Sequence, residues 1–108
     1  MTQNQIEAIK LINQINVLAE ELSSLIKSDS ENLLGYTVTV ITSFVDDDEM
    51  LNGKSIIKGR SLDIANVHSE IMFDNDDYFT TMCFSLTEAI KLKQAYVDEL
   101  LNKATNQN

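Results

Sequence analysis

A change of hydrophobic period one third of the way along the chain constrains its fold more than any other feature. Up to Leu25 the apolar residues Ala8, Leu11, Ile15, Leu18, Leu22 and Leu25 recur at alternating spacings of three and four. Ile12, Ala19 and Ile26 widen that stripe, and Asn13, Gln14, Glu20, Glu21 and Ser24 occupy the opposite side. Such a pattern predicts an amphipathic helix from Gln3 to Lys27. Lys27 near its end complements the negative pole of the helix dipole, and Ser28 to Asn32 reads as a polar connection. A helix of that length spans roughly 36 Å, more than a small domain needs. The stripe is also close to a heptad seam, so the sequence predicts a homodimer joined through Leu11, Ile15, Leu18, Leu22 and Leu25. The competing outcome is one helix lying across one sheet.

After Gly35 the period drops to two. Tyr36, Val38, Val40, Thr42 and Phe44 fall on one face of a strand, and Thr37, Thr39, Ile41, Ser43 and Val45 on the other. The acidic run Asp46 to Glu49 ends it. Asn52-Gly53 is the strongest hairpin signal in the chain, because both residues tolerate positive φ. It predicts a returning strand from Lys54 to Arg60, with a bulge or turn at Gly59. The stretch Leu62 to Phe73 fits either period. Residues Val67, Ser69, Ile71 and Phe73 alternate, as do Tyr78, Thr80, Met82 and Phe84 beyond the turn-like Asp74-Asn75-Asp76-Asp77. That favours a second hairpin over a helix. Ser85-Leu86-Thr87-Glu88 has the form of a capping box. It predicts a helix running to Lys103 with a stripe of Leu86, Ala89, Ile90, Val97, Leu100, Leu101 and Ala104. The expected fold is α+β: an antiparallel β-meander of about four strands flanked by an N-terminal and a C-terminal amphipathic helix, in the order α-β-β-β-β-α. It would form a single domain over residues 1–104, with 105–108 as a disordered tail.

Composition narrows the function classes. Eight basic residues face seventeen acidic ones, for a net charge of −9 over 108 residues. Phosphate backbones and anionic membranes call for the opposite balance, which argues against direct nucleic-acid or membrane binding. A basic protein partner, or solubility alone, suits an acidic surface. Cys83 is the lone cysteine, so an intrachain disulfide is excluded. With no leader-like segment and no long apolar run, a cytoplasmic location is the expectation.

The residues able to carry chemistry are few. In a four-strand meander the first and third turns share one end of the sheet. Asp46, Asp47, Asp48 and Glu49 would then meet Asp74, Asp76 and Asp77, producing a strongly negative edge. Calcium-loop spacing fails there: counted from Asp74, Phe79 stands where glycine belongs and Ser85 where glutamate belongs. Counted from Asp48, Gly53 fits but Gly59 takes the last ligand position. His68 and Cys83 are too few for a zinc site without carboxylates, and as a nucleophilic pair they compete with burial of Cys83 in an apolar strand. Lys54, Lys58 and Arg60 alternate along the second strand and supply an alternative ligand site for a small anion or nucleotide, with Tyr36 or Tyr78 stacking on a base. No glycine-rich phosphate loop, cofactor motif or positioned acid–base pair is present. The reading that follows is a small acidic non-catalytic binding protein, of the inhibitor or immunity type found on phages and mobile elements. It would neutralise a basic macromolecular partner through its seven clustered acids. A structural dimer is the further alternative.

Overall fold

The structure, a computed structural model, describes residues 1–105. They form α1 (Gln3–Ser28), β1 (Val38–Val45), β2 (Leu51–Lys58), α2 (Ser61–Asp74) and α3 (Asp76–Thr105). The chain divides into two compact units, Met1–Asn66 and Val67–Asn108. Thr105 closes α3, and the rest of the expected tail lies outside the described residues.

The first unit is a helix on a hairpin. Thr2 opens α1 with a capping box: its hydroxyl accepts from the Gln5 amide at 3.1 Å, while the Gln5 side chain accepts from the Thr2 amide at 2.7 Å. β1 and β2 pair antiparallel, with Val40 opposite Ile56, Thr42 opposite Lys54 and Ser43 opposite Gly53. Alternation sorts the faces as expected for β1. Val38 is buried and Val40, Thr42 and Phe44 are half-buried, while Ile41, Ser43 and Val45 are exposed. Ala19 and Ile26 of α1 close over Val38 and Ile56, with Leu33 and Val40 at the margin. This cluster is the core of the unit.

The expected β-meander is overturned: among the described residues there are two strands, and the order is α-β-β-α-α. Both segments assigned to the second hairpin are helical. Val67 to Phe73 lies in α2, and Tyr78 to Phe84 opens α3. The alternation that suggested strands is short, and the same residues also repeat at three and four. From Phe79 onward that longer period runs without a break through Leu86 into the residues already assigned to a helix. Asp74-Asn75-Asp76-Asp77 is a helix–helix junction: the Asn75 carboxamide oxygen accepts from the Tyr78 amide at 2.9 Å, capping α3, and Asp76 and Asp77 complement its positive pole. Ser85 therefore caps nothing. It sits inside α3, where its hydroxyl donates to the Thr81 carbonyl at 2.9 Å.

The first hairpin is present, but its turn lies elsewhere. Asn52 and Gly53 are strand residues paired with Phe44 and Ser43. The reversal is made at Asp46 to Met50, where Glu49 adopts φ 58°. Asp46 organises it: its carboxylate accepts from the Asp48 amide at 2.9 Å, the Met50 amide at 3.0 Å and the Asn52 side chain at 3.0 Å. A carboxylate that gathers three donors outweighs the intrinsic turn preference of Asn-Gly. Gly59, by contrast, does mark the end of β2. It has φ 130°, and a Cβ there would stand 2.8 Å from Thr37 Cγ2.

Candidate functional site

Two apolar stripes run along α1, one residue apart in phase. The stripe that packs on the hairpin contains Ile12, Asn16, Ala19 and Ile26. The richer stripe of Leu11, Ile15, Leu18, Leu22 and Leu25 is exposed, with Leu18 at 65%. Because successive residues differ by about 100° around a helix, burying the first stripe turns the second away from the sheet. The sequence did not single out Asn16. It is buried, and its carboxamide oxygen accepts from the Thr42 hydroxyl at 2.9 Å. The available signal was a polar residue in phase with Ile12 and Ala19, opposite a strand that carries a threonine on its inner face.

The seven acids lose the arrangement that grouped them. Without a meander, Asp74 closes α2 while Asp76 and Asp77 open α3, so no sheet carries them to the end that holds Asp46 to Glu49. Asp46 is committed to the turn. Its hydrogen bond from Asn52, then that from Met50, hold its carboxyl below the usual carboxylate range. Asp47, Asp48 and Glu49 are exposed. Among the described residues no three His, Cys, Asp or Glu side chains stand close enough to hold a metal ion.

The three basic residues also part. Lys54 Nζ lies 2.5 Å from Glu20 Oε1 of α1. Arg60 lies beyond β2 and pairs with Asp63, its Nε 2.6 Å from Oδ2. That partner raises the guanidinium pKa above its usual value. Lys58 and Arg60 do share a pocket of about 230 Å³ at the C-terminal end of α1, together with Lys27 and Tyr36 and a floor that includes Ile26 and Leu33. No acidic side chain lines it.

His68 and Cys83 both stand on helices, which removes the hairpin that would have paired them. His68 Nδ1 is 3.3 Å from the Tyr78 hydroxyl, and the two rings meet edge to face with centroids 6.2 Å apart. Cys83 is exposed, not strand core. No helix among the described residues is long and apolar enough to cross a membrane. No family model matches the chain, and no curated protein or solved structure matches it either.

Proposed function

We propose that this chain is a non-catalytic binding protein that engages a protein partner through the outward stripe of α1. The carrying observation is the exposure of Leu11, Ile15, Leu18, Leu22 and Leu25 on a helix whose neighbouring stripe is already satisfied by the hairpin. Contiguous apolar surface of this kind marks interaction sites, and an amphipathic helix docks by laying such a face into a groove. Glu7 and Glu21 are exposed beside the stripe. With a net charge of −9 they favour a groove with a basic rim, through fast, salt-sensitive encounter. Inhibition or immunity remains the type of role this suits: a small acidic chain occupying a surface that its partner uses for something else.

The test is capture of a partner from the native host by the wild-type chain and by two variants. Leu18→Glu is expected to abolish capture. Asp47→Asn combined with Asp48→Asn and Glu49→Gln is expected to weaken it only at low salt, since exposed charges are screened over about 8–10 Å at physiological ionic strength. Undiminished capture by Leu18→Glu, with loss in the triple variant, would return the contact to the acidic turn.

The pocket at the end of α1 supports a second reading, a small anion with an apolar body. Lys27, Lys58 and Arg60 converge there beside Tyr36 without an acidic neighbour in the lining. Arg60 is partly neutralised by Asp63. Thermal-shift measurements with nucleotides and aromatic carboxylates address this reading, because a ligand of the folded state raises the melting point. The rise is expected to vanish in Lys58→Gln.

A further inference from the structure

The pocket at the C-terminal end of α1 lies wholly within the first unit, and the pairing of the basic residues sets it apart. Lys54, Arg60, Lys91 and Lys103 each pair with a carboxylate. The other four of the eight, Lys10, Lys27, Lys58 and Lys93, make no ion pair among the described residues. Two of those four, Lys27 and Lys58, line this one pocket, and Lys58 is half-buried there. With seventeen acidic residues in the chain, their lack of a partner is not a shortage of carboxylates. A half-buried cation without a counter-charge is costly, and a bound anion removes that cost. Arg60 is placed differently. Its Nε and Nη2 donate to the two carboxylate oxygens of Asp63 at 2.6 and 3.2 Å, so the planar fork that would grip a carboxylate is already closed. The groups left over are two ammonium ions from separate elements, α1 and β2.

We infer that the pocket takes a phosphomonoester dianion carried on one planar ring, with Lys27 and Lys58 on the phosphoryl oxygens and the ring against Tyr36. This rests on the small-anion reading above and deepens it by fixing the anionic group. A phosphoryl group has three terminal oxygens and a charge of about −1.5 to −2 at neutral pH, which two point-like ammonium groups can neutralise from different sides. A carboxylate offers one charge and favours the fork that Asp63 occupies. The ring is placed by the apolar part of the lining, Ile26, Leu33 and Leu34, with Tyr36 beside them for stacking. A volume of about 230 Å³ is below the roughly 300–1,000 Å³ of pockets for drug-sized ligands, which limits the occupant to one ring and one phosphoryl group. The negative pole of α1 and the net charge of −9 both oppose an anion. Both are screened by solvent and salt, whereas ammonium–phosphate contacts are short and charge-assisted. A phosphoester of this kind has two sources, a mononucleotide or an aryl phosphate.

Isothermal titration calorimetry on the full chain tests this with phenyl phosphate, adenosine monophosphate, benzoate and inorganic phosphate. The tighter of the first two is expected to bind at least about tenfold better than benzoate or inorganic phosphate, and its identity names the source. Its preference over benzoate should grow between about pH 5 and 7, as the second phosphate proton leaves near about pH 6. The lining holds no histidine or carboxylate to titrate in that window. Lys27→Gln and Lys58→Gln should each weaken the phosphoester about tenfold. Lys10→Gln, which removes an unpaired lysine outside the pocket, should leave it unchanged. Tyr36→Ala should weaken the phosphoester but not inorganic phosphate. If benzoate binds as tightly as the phosphoester and Lys58→Gln abolishes both, the pocket reading stands and the phosphoryl assignment falls. If no ligand binds at millimolar concentration, both fall. Equal losses in Lys10→Gln and Lys58→Gln would reduce the effect to diffuse attraction and overturn the site.

Discussion

Single polar groups determine how α1 meets the hairpin and where the chain reverses. Asn16 is buried with Thr42 as its donor, and a buried acceptor deprived of its donor carries the full desolvation penalty. Thr42→Val is expected to lower unfolding free energy by about 1–2 kcal/mol. Combining it with Asn16→Leu should recover most of that loss, a coupling that denaturant titration of the double-mutant cycle would expose. Asp46 acts at the turn through its charge. Its carboxyl is depressed in the folded chain by the hydrogen bonds from Asn52 and Met50, so its contribution is complete above the ordinary carboxylate range near about 4. That contribution fades as pH falls through the lower folded value. In Asp46→Asn the melting point should fall less steeply below about pH 4 than in the wild type. An identical acid limb in the two chains would show that the turn does not depend on the charge.

Elements were legible where one period held over many residues. The first helix was expected at Gln3 to Lys27 and spans Gln3–Ser28, and the strand that follows is β1. The four-strand sheet was not legible, because alternation over seven residues in Val67 to Phe73 is also compatible with a helical face. The Asn75 cap and the continuation of the Phe79 phase into α3 decide between them. The hairpin turn was displaced for a different reason: local preference for Asn-Gly lost to a carboxylate that collects donors from three residues. The candidate site shared the fate of the elements. The outward leucines of α1 could be read from spacing, whereas the acidic cluster depended on a sheet that is not there. Gly59 is a terminator that the sequence did identify. With φ 130° and a virtual Cβ 2.8 Å from Thr37 Cγ2 and 3.0 Å from the Tyr36 carbonyl, Gly59→Ala must both strain the backbone and push aside Tyr36 and Thr37, just ahead of β1. A loss of about 1–3 kcal/mol is expected. Gly35→Ala, at φ 86° but with nothing within 4 Å, should lose only about 1 kcal/mol. Equal losses, measured by chemical denaturation, would mean that crowding at Thr37 is relieved at no cost.

At the scale of the whole chain, the buried apolar residues among the described ones are few: Ala19, Ile26, Val38 and Ile56, all in the first unit. Truncating Ile26 to alanine removes the largest α1 contribution to that cluster and should cost about 2–4 kcal/mol, a large fraction of the margin available to a small chain. Loss of the hairpin's circular dichroism signal at 37 °C is the expected readout. The hairpin that this core supports is joined by a short turn, and α1, β1 and β2 pack as neighbours in sequence. No strand waits for a distant segment before it can pair. Together with the absence of proline from the chain, this gives the first unit a short search. It should refold within milliseconds and without a slow isomerisation phase, so that after transient unfolding its apolar faces are reassembled before neighbouring chains can tangle with them.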